Sequence, residues 1–390
     1  MKAREIKKNI FWVGGIDWDL RNFHGYITPR GTTYNAYLII DKKIVLVDTV
    51  KHYLCDEMIA RIKSIVDPEK IDFIVSNHVE MDHSGSLPMI TKIAKNSEVI
   101  TSIHGEKGLL KHYGNSMKLR VVSSGDSFSI GERELEFIHT PMVHWPDSMV
   151  TYIAREKLLL PNDAFGQHIA GNERFDDELG WAIVKEESAK YYANIVMPYG
   201  KQVSSVLGAI SNLDIDMIAP SHGIIWRSHI SDIVKCYKKW AENLVDEKAV
   251  IIYDTMWGST KKMALAIVSG FEDSGINAEL INLKETDIST TITKLLTAKY
   301  IIVGSSTLNS NVLPTVSGFL TYMSGLAPKN RIGMAFGSYG WGGQSVPDIE
   351  NTLKKCGFSM WESLKAQYIP DEKDLSGIVE KIKNNIISFK

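Results

Sequence analysis

Two imidazoles and two carboxylates fall within six positions, as His78, Glu80, Asp82 and His83, directly after the apolar run Ile74-Val75 and just before Gly85. In an extended or tightly looped segment alternate residues point the same way, so His78, Glu80 and Asp82 can converge while His83 turns toward a second ion. Four hard or borderline ligands in one loop at a strand end point to two metals. A polar surface loop with chance histidines has the same composition, so the downstream residues decide between the two readings.

The spacing resembles the His-x-His-x-Asp-His signature of the metallo-β-lactamase superfamily, with Glu80 where the hydrolases carry their second histidine. An anionic oxygen in place of a neutral nitrogen makes the site harder and offsets more cationic charge. That suits iron cycling between ferrous and ferric better than zinc activating a water. Within the superfamily this variant marks the flavodiiron proteins. The rest of that family's ligand set is present in chain order: His144 ahead of Trp145-Pro146-Asp147, Asp163 after Leu159-Leu160-Pro161-Asn162, and His222 between Ser221 and Gly223. The resemblance implies two non-haem irons, one on His78, Glu80 and His144, the other on Asp82, His83 and His222, with Asp163 bridging them. It also matches His24, His168 and Tyr192 to catalytic positions beside the ligands, where they hydrogen-bond a bound diatomic or orient the ligands. Those two roles stand equally open, and the default for a lone histidine is a surface or satisfied core residue. Asp48, ending the run Ile44-Val45-Leu46-Val47, resembles the superfamily's buried aspartate beneath the histidine loop; otherwise it is an ordinary strand terminus.

A second block of chemistry starts at the apolar run Lys248 to Tyr253, which leads into Asp254-Thr255-Met256-Trp257-Gly258-Ser259-Thr260 and a helix-like stretch from Lys261 to Phe271. Hydroxyls and a glycine between a buried strand and a helix start are what a phosphate monoester needs: free amides, hydroxyl donors and a positive dipole end. No lysine stands in the Walker position, so this is not a nucleoside triphosphate loop. It resembles the phosphate loop of flavodoxins. Two further loops follow apolar runs: Thr307, Leu308 and Asn309 after Tyr300 to Gly304, and Ser338, Tyr339, Gly340, Trp341, Gly342 and Gly343 after Ile332 to Phe336. In doubly wound domains ligands bind at the carboxyl ends of parallel strands, where these loops fall. Trp257, Tyr339 and Trp341 offer faces to a flat ring, and FMN is the expected flavin.

A chain of 390 residues with 44% hydrophobic content supports two cores. The join is expected in the charged stretch 240–247, dividing the chain into a diiron domain, 1–246, and an FMN-binding domain, 247–390. In the first, expected strands Tyr34 to Ile40 and Ile44 to Asp48 interleave with expected helices Tyr53 to Val66 and Ser231 to Val245. The fold class is α/β: a metallo-β-lactamase-like αββα sandwich, then a flavodoxin-like doubly wound parallel sheet. Three scattered cysteines make no disulfide framework or iron–sulfur centre, and no cysteine quartet for a fused rubredoxin. No apolar stretch approaches a membrane span, and a net charge of −2 gives no reason to expect nucleic acid. The expectation is a soluble cytoplasmic protein.

The resemblance implies an oxidoreductase in which FMN feeds a diiron centre that reduces O2 to water, NO to N2O, or both. Without a Gly-x-Gly-x-x-Gly fingerprint, direct NADH oxidation is not indicated. Electrons are expected from a separate carrier, rubredoxin or reduced F420 (F420H2). The family also implies a head-to-tail homodimer, or a dimer of dimers, that sets the flavin of one chain beside the irons of the other. The competing reading is a zinc-dependent hydrolase with an accessory flavodoxin domain. A pure electron carrier with a vestigial first domain ranks below it, since all seven ligand positions are filled.

Overall fold

In the strand Tyr37–Ile40, Tyr37 and Ile39 face one way and Leu38 the other; in Ile44–Val47, Val45 and Val47 oppose Leu46. This period of two gives both sheet faces apolar surface to bury. The strands belong to a seven-stranded sheet ordered Arg4–Lys7, Ile10–Trp12, Tyr37–Ile40, Ile44–Val47, Phe73–Val75, Glu98–Ser102, Leu119–Val122. Pairing is antiparallel through Ile44–Val47 and parallel beyond. A five-stranded sheet, Ser127–Ser129, Glu134–His139, Met149–Ile153, Leu158–Leu160 and Met217–Ile218, packs on one face. There Tyr37, Ile39, Val45 and Val47 meet Phe137, Met149, Leu158 and Leu160. The opposite face packs on helices Cys55–Lys63, Leu87–Ile93 and Ile103–Tyr113 through Met58, Ile62, Ile90 and Leu109. Two facing sheets with helices over one of them form the centre of the expected αββα sandwich, and the helices Trp181–Tyr191 and Gly200–Ile210 follow later in the chain.

The computed structural model describes residues 1–388, and these group into two units. One comprises Met1–His24, Thr28–Tyr191 and Lys201–Lys238; the other comprises Gly25–Ile27, Tyr192–Gly200 and, of the described residues, 239–388. In the second, the parallel sheet runs Asn277–Asn282, Asp246–Asp254, Ala298–Ser305, Ile332–Tyr339, with Ser359–Met360 and Leu364–Gln367 both pairing to the last of these. The order 2-1-3-4-5 is that of flavodoxin, with its switch point between Asp246–Asp254 and Ala298–Ser305. Val250, Ile251 and Ile252 are all fully buried, as a strand covered on both faces requires.

Three local expectations change. The run Tyr34 to Ile40 is two strands, because Thr32–Tyr34 pairs with Gly15–Asp17 in a separate ribbon. The break falls at Asn35, whose backbone N–H donates to Ser221 and whose buried amide donates to the Pro220 and Gly223 carbonyls. The helix expected from Tyr53 starts as a 3-10 turn, His52–Leu54, and its regular part is Cys55–Lys63. The helix expected to Val245 ends at Ala241, where Asn243 adopts a left-handed φ of 51° and the next strand begins at Asp246.

Candidate metal centre and flavin site

The strand Phe73–Val75 leads through a bent loop to His78 and Glu80, and Glu80, at φ −54° and ψ 142°, is the last residue before a helix. Its carbonyl accepts from the N–H groups of His83 and Ser84, opening the short helix Met81–Ser84. Asp82 therefore turns away from His78 and Glu80 and joins His83, which corrects the convergence expected from simple alternation. Two adjoining groups result: His78, Glu80, His144 and Asp163, and then Asp82, His83 and His222.

Asp163 stands between them. Its Oδ2 lies 3.6 Å from His78 Nε2 and 3.3 Å from His144 Nε2, while Oδ1 lies 3.0 Å from His83 Nε2 and 3.2 Å from His222 Nε2. Glu80 Oε2 is 3.4 and 3.5 Å from the Nε2 atoms of His78 and His144, and Asp82 reaches His83 at 3.4 Å and His222 at 3.3 Å. Ligand atoms about 2.1 Å from one ion stand roughly 3.0–3.4 Å apart in octahedral or tetrahedral arrangement, which matches this spacing. Asp82 Oδ1, both nitrogens of His83 and both oxygens of Asp163 are buried without a hydrogen bond. Buried polar atoms are rarely left so, and a cation in each group satisfies those that face inward. The donor set fits two ions.

The protonation of the metal-free cluster points the same way. Burial pushes His222 down, but Asp163 and Asp82 outweigh it and raise the imidazole to about 10. His78 is likewise pushed down by burial, yet its bond to Asp147 and the Glu80 carboxylate hold it well above the usual range. Burial opposes ionisation of Asp163, and His83, His144 and His222 reverse this so that its carboxyl lies well below the usual range. The pocket thus holds protons where cations belong.

The ligands are aimed from behind. His78 Nδ1 pairs with Asp147 Oδ2 at 2.9 Å and His222 Nδ1 with the Thr33 carbonyl at 2.9 Å, leaving Nε2 to face inward in both. Asp48 gathers three loops at once. Its Oδ1 accepts from the Asn77 N–H at 2.8 Å, and its Oδ2 from the side chains of Asn77 at 3.1 Å, Asn162 at 3.2 Å and Ser221 at 3.4 Å. Each of these donors immediately precedes a ligand: His78, Asp163 and His222. Asp48 is therefore more than a strand terminus. Sequence reasoning did not single out Asp147, Asn77, Asn162 or Ser221, although a polar residue directly before three candidate ligands was a usable signal.

Of the neighbouring positions, His24 is largely exposed with Nε2 3.6 Å from Glu80 Oε1. His168 is buried, its Nδ1 2.8 Å from Thr32 Oγ1 and its ring 5.0 Å from that of His222. Burial and the His222 charge hold it well below the usual range, so the ring is neutral. Tyr192 is buried and packs on Trp240. Its neighbour Tyr191, not singled out from sequence, sets its ring 5.2 Å from His168 and 6.0 Å from His222. Phe23 lies among the imidazoles of His24, His168 and His222.

The second unit contains a cavity of about 650 Å³, within the range of cofactor sites. Met256, Trp257, Ser259, Thr307, Asn309, Ser338, Tyr339, Gly340 and Trp341 line it as expected, and Ser306, Ser310, Tyr368 and Ile369 join them from outside the expected set. Thr255, Gly258, Thr260, Leu308, Gly342 and Gly343 do not line it. Thr260 lies beneath, its Oγ1 2.8 Å from Ser338 Oγ and 3.0 Å from Ser306 Oγ, so one hydroxyl from each of three loops meets at the floor. Thr255 Oγ1 accepts from the Gly258 N–H, and Gly258 turns at φ 90° into the helix Ser259–Glu272, a conformation that suits glycine. Trp257 and Trp341, 92% and 85% exposed, leave aromatic faces open at the mouth.

The comparisons with known proteins agree with this geometry. A family model described as "ODP family beta lactamase" matches residues 32–223, and one described as "Flavodoxin" matches residues 251–382. A nitric oxide reductase of Moorella thermoacetica is 45% identical over 96% of each chain. The rubredoxin oxygen:oxidoreductase structure from Desulfovibrio gigas superposes with a TM-score of 0.96 at 38% identity over 99% of each chain. A flavodiiron protein structure from Giardia intestinalis does so with a TM-score of 0.95 at 30% identity, over 98% of this chain and 96% of that one. Two ion-sized groups in a β-lactamase-type fold, joined in one chain to a flavodoxin-type unit, define a two-domain redox enzyme. The chain belongs to the flavodiiron proteins.

Proposed function

We propose that this oxidoreductase reduces dioxygen to water, nitric oxide to nitrous oxide, or both, with electrons from a separate small carrier such as rubredoxin. Reduced F420 is the other donor to try. The observation that carries the reading is Asp163 with one oxygen toward each ligand group. Loaded with two irons and FMN, the protein has the multi-electron capacity that such a reduction needs.

The chain's own residues do the rest. Glu80, Asp82 and Asp163 offset the cationic charge, and Asp147 and the Thr33 carbonyl fix the imidazoles so that Nε2 is the ligating atom. Phe23, neutral His168 and Tyr191 line one side of the cluster with rings, excluding bulk water beside His222. In the second unit Met256, Trp257 and Ser259 of the first loop line the cavity and would receive the flavin phosphate, and Trp257, Tyr339 and Trp341 would accompany the ring. Open aromatic faces at that mouth support a head-to-tail homodimer, in which another copy covers the flavin. Among the described residues no helix is long and apolar enough to cross a membrane; a cytoplasmic location completes the proposal.

The test is steady-state consumption of O2 and of NO by the iron- and FMN-loaded protein with reduced rubredoxin, scoring peroxide and N2O. Turnover of either gas, without peroxide release from O2, is expected. Inactivity toward both gases with several carriers, together with lactam or thioester hydrolysis by the zinc-loaded protein, would replace the proposal with the hydrolase.

A further inference from the structure

A buried negative charge lies at the base of the loop that would receive the flavin phosphate. Asp254, the last residue of the strand Asp246–Asp254, is 2% exposed. Its Oδ1 accepts from the Thr255 N–H at 2.6 Å, and its Oδ2 accepts from Thr315 Oγ1 at 2.5 Å, at the start of the helix Pro314–Leu326. The carboxylate thus anchors the first residue of the loop and the helix beside it. A phosphate monoester carries nearly two negative charges at neutral pH. A carboxylate 2% exposed at the root of the four-residue loop 255–258 opposes that dianion.

Lys284 answers this charge. From the segment after the strand Asn277–Asn282, its Nζ lies 3.1 Å from Asp254 Oδ1 and donates to the Thr255 carbonyl at 2.6 Å. Two hydrogen bonds fix the backbone that carries it, as Leu283 N–H donates to the Tyr253 carbonyl and Lys284 N–H donates to Asn282 Oδ1. The adjacent acid, Glu285, is engaged by the Asn282 amide. One ammonium therefore pairs with the buried acid and occupies the first carbonyl of the loop. Neither contact was visible from sequence, where Lys284 lies outside every flavin loop.

We propose that Lys284 is a positioning residue for the flavin phosphate, acting through Asp254 and the Thr255 carbonyl, so that this loop selects phosphorylated over unphosphorylated flavin. The inference rests on the FMN reading of the cavity. It predicts a charge effect that falls on FMN and spares riboflavin, which has the same ring and no phosphate.

The experiment titrates full-length, flavin-stripped protein with FMN and with riboflavin, following quenching of flavin fluorescence. Lys284→Met should raise the FMN Kd about tenfold while leaving the riboflavin Kd within about twofold. Lys284→Arg should stay close to the parent, and Asp254→Asn combined with Lys284→Met should recover most of the lost FMN affinity, because the charge needing compensation is gone. Riboflavin binding by each variant shows that the cavity is folded. Equal weakening of both flavins would make Lys284 a merely structural strap, and unchanged FMN affinity in Lys284→Met would remove any role; either result overturns the inference. Failure of the parent protein to bind FMN or riboflavin would overturn the FMN reading itself.

Discussion

Replacing Asp48 with asparagine removes one charge and almost no volume, and it strikes three ligand loops together. Asparagine tolerates the left-handed φ of 55° at this position, so the backbone should be undisturbed. The carboxylate accepts four hydrogen bonds, one at Oδ1 and three at Oδ2. An amide can keep its oxygen toward the three, but its NH2 then faces the Asn77 N–H, and two buried donors oppose each other. Orphaned buried donors cost about 1–3 kcal/mol each. Against this, burial pushes the Asp48 carboxyl above the usual range, opposed by His83 and the Asn77 donors, so the neutral amide recovers part of a desolvation cost. The net loss should be about 1–3 kcal/mol in the metal-free protein. Loosened ligand loops should also weaken iron binding by roughly 10- to 100-fold, the usual effect of removing a partner that orients ligands. Urea unfolding of the metal-free protein and ferrous ion competition against a chelator measure the two. Parent stability together with parent iron affinity would refute the idea that Asp48 ties the loops.

Asp163→Ala should leave fewer than one iron per chain with the FMN content unchanged, because each ligand group loses an oxygen facing two imidazoles; elemental analysis decides it. His222, at about 10 when metal-free against an ordinary value of 6.5, has a raised pKa, so its ion pairs stabilise the metal-free protein fully below pH 6.5 and fade as pH rises through about 10. Ligation needs the neutral ring, so ferrous ion uptake at pH 7 should release protons and tighten with pH; calorimetry in two buffers of different ionisation heat would contradict this by showing none. Gly304→Ala places a Cβ 2.2 Å from Phe336 Cζ, between two strands that carry flavin loops. The overpacking should cost about 1–3 kcal/mol and weaken FMN binding, read by thermal melting and fluorescence titration.

Both domain types were legible because each has a local signature: ligands crowded after one short strand, and apolar strands ending in Gly, Ser and Thr loops. Of the seven candidate ligands, His78, Glu80, Asp82 and His83 stood out as one crowded loop, whereas His144, Asp163 and His222, single residues in separate loops, came only through the resemblance to the flavodiiron proteins. What stayed hidden depends on position in space. Whether Asp82 faces His78 or His83 depends on a helix that starts at Met81. Tyr191 comes to the cluster because adjacent residues on a helix point about 100° apart, which a sequence of two tyrosines does not resolve. Tyr368 and Ile369 reach the flavin cavity from beyond the last strand of the sheet, and Asp48 meets Asn162 and Ser221 across 114 and 173 residues.

The most direct test of the central claim is the iron and flavin content per chain of anaerobically purified protein. About two irons and one FMN are expected. Zinc that persists after iron reconstitution, or full FMN with no bound iron, would contradict the account.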